Sequence, residues 1–188
     1  MSTINVSRRR FLQTSAVTGG GLVVGLAVTG CSGTPAPLPV ARTQGAWTPN
    51  AFLQVLPDNT IRFYTARSEM GQGVTTGLAT LVGEELDVNP LDMEIRLAGA
   101  HEDYVNPAFG MQGTGGSTSI RAHYLQLRQV GANTRALILE AASQDLGVPV
   151  SSLSTENGYI VQGASRHPYA DFITTAQSLN IDADASLK

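Results

Sequence analysis

The fold is most restricted by one long helical run and the aperiodic stretch before it. Ile120, Tyr124, Leu127, Leu137, Ile138 and Ala141 recur on one face of a helix. Ser117 or Ser119 is its expected N-cap, and Gly147-Val148-Pro149 its stop. Ala98 to Gly116, just upstream, has many glycines, polar residues and a proline but no period, so it reads as a long loop. A loop of that length in the middle of a domain points to function. Around these two features, Ala51 to Leu56 and Thr60 to Ala66 form a predicted hairpin across Pro57-Asp58-Asn59, and Thr75 to Leu86 a short helix stopped by Asn89-Pro90. Met93 to Leu97 alternates as a strand. Leu153 to Glu156 and Tyr159 to Gln162 flank the hairpin turn Asn157-Gly158, and Tyr169 to Leu179 reads as a last helix. The order β-β-α-β-loop-α-β-β-α predicts an α+β fold, with no internal repeat.

The N-terminus carries a separate message. Ser7-Arg8-Arg9-Arg10-Phe11-Leu12-Gln13 matches a twin-arginine export pattern, and the apolar run Ser15 to Val28 is diluted by Thr18, Gly19, Gly20, Gly21 and Gly25. That run is too short and too weakly apolar for a membrane span. Periplasmic export follows as the expectation. Val28-Thr29-Gly30-Cys31 has the form of a lipobox, which would tether the protein through lipid on Cys31; an ordinary cleavage site with a chance cysteine is the alternative. Cys31 is the only cysteine, which excludes an intramolecular disulfide or a cysteine-held iron–sulfur cluster in this sequence. The expected organisation is a signal over 1–31, a flexible proline-rich linker over 32–49, a folded domain over 50–180, and a tail over 181–188 at a domain boundary. Without the signal's arginines the remainder holds nine basic and fifteen acidic residues, with Lys188 the sole lysine, so nucleic-acid binding is disfavoured.

Two loops place glycines directly before a helix: Glu69-Met70-Gly71-Gln72-Gly73 ahead of Thr75, and Gly113-Thr114-Gly115-Gly116-Ser117-Thr118-Ser119 ahead of Ile120. Backbone N–H groups at a helix N-terminus attract anions, glycines let a ligand approach the backbone, and hydroxyls add donors. With their flanks, Gly83-Glu84-Glu85-Leu86-Asp87-Val88, Asn106-Pro107-Ala108-Phe109-Gly110, Leu127-Arg128-Gln129-Val130-Gly131-Ala132 and Thr155-Glu156-Asn157-Gly158, these loops resemble the molybdenum-cofactor-binding subunit of the xanthine dehydrogenase family, in its isoquinoline 1-oxidoreductase β-subunit branch.

The resemblance implies a partial molybdopterin-binding domain, with Gln72 beside the molybdenum ligands as the catalytic position. Gly71, Gln72, Gly73, Thr75, Gly115, Gly116, Ser117, Thr118 and Ser119 would then hold a molybdopterin, in its cytosine dinucleotide form. It further implies hydroxylation of an aldehyde or an N-heterocycle with water as oxygen source, 2Fe-2S clusters on a small partner subunit, a complementary chain or the rest of the large subunit, and a cytochrome electron acceptor. The family's base is a glutamate in a Gly-x-Gly-Glu segment. That segment does not occur in this sequence, so the chain is expected not to catalyse alone. A self-contained periplasmic lipoprotein that binds or scaffolds is the alternative reading, and a truncated gene product a third.

Other residues weigh less. His101-Glu102-Asp103 lacks metal-ligand spacing and reads as a solvated loop, so no metal site is expected. His123 and His167 are isolated. Glu84-Glu85 reads as helix surface. Arg121, Arg128 and Arg135, spaced by seven, read as a polar helix face, with Arg121 near enough to the second loop to touch a phosphate.

Overall fold

The computed structural model describes residues 43–180 and 184–188, so the twin-arginine segment and Cys31 lie outside the described residues. The element order is β1 (Trp47–Asn50), β2 (Leu53–Val55), β3 (Ile61–Thr65), α1 (Val74–Leu86), β4 (Glu94–Leu97), α2 (Ser119–Leu146), β5 (Ser154–Glu156), β6 (Tyr159–Gln162), β7 (Ser165–Pro168) and α3 (Ile173–Ala176). The class is α+β, as the pattern predicts. A four-stranded sheet has the order β1-β2-β3-β4, antiparallel except that β3 and β4 run parallel, and a three-stranded antiparallel sheet has the order β5-β6-β7.

Helix α1 is the crossover that makes β3 and β4 parallel. Its inward residues Val74, Leu78, Ala79, Val82 and Leu86 are buried against Phe63, Leu53 and Val55 of the sheet in one apolar core. The second helix packs on α1 and contributes Leu127, Ile138, Ala141 and Ala142 to the same core. These aliphatic and aromatic side chains each contribute about 1.5–3 kcal/mol when fully buried, which is where most of the stability resides.

Several boundaries differ from the sequence expectation. β1 begins inside the segment read as flexible linker, because Trp47 is a core residue and Asn50 Oδ1 accepts from Phe52 N and Leu53 N to form the turn into β2. α1 ends at Leu86, as the periodicity predicts, but its stop is Asp87, which takes the left-handed conformation (φ 58°) that closes a helix, rather than Asn89-Pro90. Neither Ser117 nor Ser119 caps α2. Thr118 occupies that position, and its hydroxyl accepts from Asn106 Nδ2 (2.8 Å) and donates to Gly115 O (2.8 Å). β7 was not anticipated, because Ser165 to Pro168 has no alternating apolar pattern. It exists through pairing with β6. The final helix shrinks to a 3-10 turn (Tyr169–Phe172) followed by α3, since Tyr169 and Phe172 are drawn into the core and Tyr169 Oη donates to Leu86 O (2.8 Å).

The Asn157-Gly158 turn forms with both residues at positive φ, as a two-residue hairpin requires. It also joins the sheets: Gly158 N donates to Asp87 O, and Asn59 of the first hairpin donates to Gly158 O and accepts from Ala170 N. Residues 184–188 lie along α2. Asn133 Oδ1 accepts from Ala185 N, Gln129 Nε2 donates to Ala185 O, and Arg128 Nη2 donates to Lys188 O.

Candidate functional site

The loop 69–73 is exposed and wraps around its own carboxylate. Glu69 Oε1 accepts from Gly71 N (2.8 Å) and Gly73 N (3.0 Å), and Oε2 accepts from Thr75 N (3.0 Å). Gly71 and Gly73 lie at φ 90° and 75°, a region that disfavours any residue with a Cβ. The three backbone donors hold Glu69 down at about 2, against the usual 4.5. This corrects the expectation that the N–H groups of Gly71, Gly73 and Thr75 stand open for an external anion, since the loop supplies its own. Gln72 is likewise tied locally, Nε2 donating to Ser68 O (2.9 Å) and Oε1 accepting from Met70 N (2.6 Å). An amide nitrogen carries two hydrogens, so Gln72 keeps one donor for a group outside the loop.

The second loop is built differently. Asn106, fully buried, holds it from below: its amide reaches Thr118 Oγ1, its Oδ1 accepts from Ala108 N, and its backbone pairs with Met111. Gln112 bridges His101 N and Gly99 O. Tyr104 Oη donates to Ala51 O, so the long segment is pinned to the first sheet rather than loose. Gly115, Gly116 and Ser117 are exposed, and Ser119 is half-buried. A Cβ added at Gly113 or Gly115 would meet no heavy atom within 4 Å, so open space faces these backbones. The two loops touch directly: Ser68 N donates to Thr114 Oγ1 (2.9 Å).

Beneath the loops lies a pair that sequence reading did not combine. Arg67 and His123 are both fully buried, with Arg67 Nη2 2.6 Å from His123 Nε2 and Nη1 donating to Ala66 O (2.9 Å). Guanidinium has only donors, so His123 Nε2 must accept and its proton sits on Nδ1. Burial, then the charge of Arg67, pushes His123 down to about 4. The unfolded chain therefore binds this proton more readily than the folded one, and stability is complete above pH 6.5 and lost on acidification toward pH 4. Roughly 3 kcal/mol is at stake across that window. Urea midpoints measured from pH 7.5 down to 4.5 are expected to fall for the natural chain and to fall much less for His123→Gln.

The remaining candidates separate. His101 Nδ1 accepts from Asp103 N and stacks edge-on with Tyr104, and no group of three or more metal-ligating side chains occurs among the described residues. His167 lies in β7 beside Phe172. Arg121 is exposed on the first turn of α2. Glu85 is not helix surface: only 1% exposed, it takes Arg128 Nε (2.8 Å) from α2, so Arg128 bridges the helices rather than lining a polar face. Glu69 and Asn106, which shape the two loops, and the buried Arg67 are residues that sequence reading missed. The acid directly before a Gly-x-Gly and the Asn-Pro step were available signals; nothing in sequence marks an arginine as buried.

Comparison with known proteins identifies the family. Residues 2–188 match the molybdopterin cofactor-binding domain. The chain is 28% identical over 179 residues to the isoquinoline 1-oxidoreductase subunit β of Brevundimonas diminuta, covering 93% of this chain and 22% of that protein. It is also 28% identical over 172 residues to a membrane-bound aldehyde dehydrogenase of Gluconacetobacter polyoxogenes whose name carries pyrroloquinoline-quinone, covering 90% of this chain and 21% of that protein. Among solved structures it resembles quinoline 2-oxidoreductase from Pseudomonas putida 86, with TM-score 0.48 and 16% identity over 64% of this chain and 15% of that one. The chain thus spans about a fifth of the length of the curated relatives it matches. It belongs to the molybdopterin cofactor-binding domain family and is homologous to one segment of the large subunits of xanthine dehydrogenase family molybdenum hydroxylases.

Proposed function

We propose that this chain supplies part of the cofactor site of an exported molybdenum hydroxylase acting on aldehydes or N-heterocycles, completed by further large-subunit polypeptide and by a 2Fe-2S subunit that passes electrons onward to a cytochrome. The observation that carries the reading is the direct junction of the two glycine loops at Ser68 and Thr114, with Gln72 in one loop and Gly115, Gly116 and Ser117 in the other all exposed. The residues fit the group: open space above Gly113 and Gly115 admits a ligand to the backbone, and the N-terminus of α2 has neither a side-chain cap nor an acidic residue in its first turn.

When bound, the molybdenum cofactor, in its cytosine dinucleotide form, supplies the two-electron redox chemistry. This chain's residues bind and orient. Gln72 offers one amide hydrogen without changing the charge of the site, and the Ser68–Gln72 and Met70–Gln72 bonds fix where it points. Gly115, Gly116 and Ser117 present backbone donors, and the Asn106–Thr118 bond holds their loop in register. Glu69 acts through Gly71, Gly73 and Thr75 and shapes the loop that carries Gln72.

In the complex purified after coexpression with its genetic neighbours, molybdenum and pterin are expected together in the periplasmic fraction. Gln72→Ala is expected to retain pterin and to lose roughly tenfold to hundredfold in hydroxylation rate, the value of one hydrogen bond to a charged group. A complex without molybdopterin, with activity indifferent to Gln72→Ala, would sink the reading. Finding a quinone in place of molybdenum would do the same. Export by the twin-arginine route belongs to this proposal and accounts for the arginine signal, because a cofactor inserted in the cytoplasm must cross inside a folded protein. Lipid on Cys31 extends it, and labelled palmitate that persists in Cys31→Ala would remove that extension.

A further inference from the structure

Residues 184–188 form part of neither sheet, yet both backbone polar groups of Ala185 and of Lys188 are taken by side chains of α1 and α2. Ala185 N donates to Asn133 Oδ1 (2.8 Å) and Gln129 Nε2 donates to Ala185 O (2.8 Å). Three residues on, Lys188 N donates to Glu85 Oε2 (3.0 Å) and Arg128 Nη2 donates to Lys188 O (2.6 Å). The two amides are aligned for this, since Gln129 and Asn133 stand one helical turn apart and Gln129 Nε2 also donates to Asn133 Oδ1 (2.8 Å). Exposure alternates along the segment, with Ala185 and Leu187 half-buried and Asp184, Ser186 and Lys188 exposed, which is the period of an extended chain. A segment held by its backbone in this way is selected for conformation first and for alternate side chains second.

The seated segment has a direction. Ala185 is held at Asn133 and Gln129, and Lys188 at Arg128, so the chain runs against α2, toward its N-terminus. Lys188 borders an open cavity of about 360 Å³ between the helices, lined by Thr80, Leu81 and Glu84 of α1 and by Tyr124 and Arg128 of α2. On the same stretch of α2, Tyr124, Leu125 and Ile120 are 44%, 67% and 40% exposed. Ile120 Cδ1 would stand 2.8 Å from a Cβ at Gly77, so the two helices stay in contact up to their first turns. From Arg128 to Ser119 a helix rises about 14 Å, which about four extended residues cover. The helix ends reached there are those that carry the two glycine loops.

We propose that the cleft between α1 and α2 is a docking groove for an extended segment of the large-subunit polypeptide that completes the site, laid in line with residues 184–188 and led toward the two loops. The inference rests on the proposal that further large-subunit polypeptide is needed. Alternation carried on from Ala185 and Leu187 turns the next inward side chain toward Leu81 and Tyr124, so an apolar residue is expected at that position. A cleft in which one extended segment already lies, gripped by its main chain, suits more extended chain rather than the surface of a folded partner.

The test has two arms. In the full chain, hydrogen exchange at the Ala185 and Lys188 amides is expected to be about tenfold slower than at Ser186 and Leu187, the worth of one net hydrogen bond. Asn133→Ala should remove the protection of Ala185, and Gln129→Ala should weaken it. Unprotected amides in the natural chain, or protection indifferent to both substitutions, would overturn the proposal. In the complex purified after coexpression, a benzophenone photoprobe replacing Tyr124 or Leu81 is expected to crosslink to one contiguous stretch of large-subunit polypeptide outside residues 1–188, mapped by mass spectrometry. The same probe replacing the exposed Gln144, near the far end of α2, should not reach that stretch. Adducts on the 2Fe-2S subunit or on a second copy of this chain, no adduct, or a complex without further large-subunit polypeptide would each overturn it. A complex that holds molybdopterin but crosslinks elsewhere defeats this inference alone. The expected crosslink in a complex without molybdopterin defeats only the cofactor reading.

Discussion

Gly131→Val is expected to lower stability by about 3 kcal/mol and the thermal midpoint by about 10 °C. A Cβ at Gly131 would stand 2.5 Å from Val82 O and 2.9 Å from Glu85 Cβ, both on α1. The first of these is backbone and cannot swing aside. The helices would have to part, and Leu78, Val82, Leu127 and Ile138 would lose packing together, since all four belong to one core. Gly113→Ala is the matched control, expected within about 0.5 kcal/mol because nothing lies near its added Cβ. Thermal and urea unfolding of the two variants side by side checks the claim. Equal stability would mean that α1 and α2 are not in contact at Gly131.

Arg128→Met is expected to lower the urea midpoint clearly, because it strands a buried carboxylate rather than because it deletes a bond. Glu85 is nearly fully buried and depends on Arg128, with Lys188 N as its other donor at 3.0 Å. Removing both charges together in Glu85→Leu/Arg128→Met should recover much of the loss. A double-mutant cycle in urea gives the coupling directly. Losses that simply add would show that Glu85 is solvated and the bridge unimportant. The same measurement speaks to the site indirectly, since Arg128 and Gly131 lie on the helix whose first turn carries the second loop.

The class of fold was legible because periodicity alone locates α1, α2, β3 and β4, and because Asn157-Gly158 permits only one kind of turn. The glycines of both loops were legible for a similar reason: a positive φ at Gly71, Gly73 and Gly116 restricts which residue can stand there. What those loops do with their donors was not legible. Whether Gly71 N and Gly73 N face an external anion or Glu69 depends on which way one carboxylate folds, and a sequence carries no such direction. β7 has no signature in the sequence because its residues do not alternate in polarity, and its strand conformation is imposed by a partner. The last helix was overestimated because Tyr169 and Phe172 fit a helical period and also fit a core, and the core prevailed.

The sequence by itself determined the α+β class, the two glycine loops before helices, the turn at Asn157-Gly158, and the family, since these follow from local conformational limits and ordered motifs that survive without any knowledge of contacts. Tertiary structure alone decided that Ser68 and Thr114 join the loops, that Glu69 fills the first of them, that Glu85 is buried against Arg128, and that Arg67 is buried against His123 of α2. The physical reason is the same in each case: burial and charge pairing depend on residues far apart in the chain meeting in space, and the value of a charged or polar group is set by what it meets.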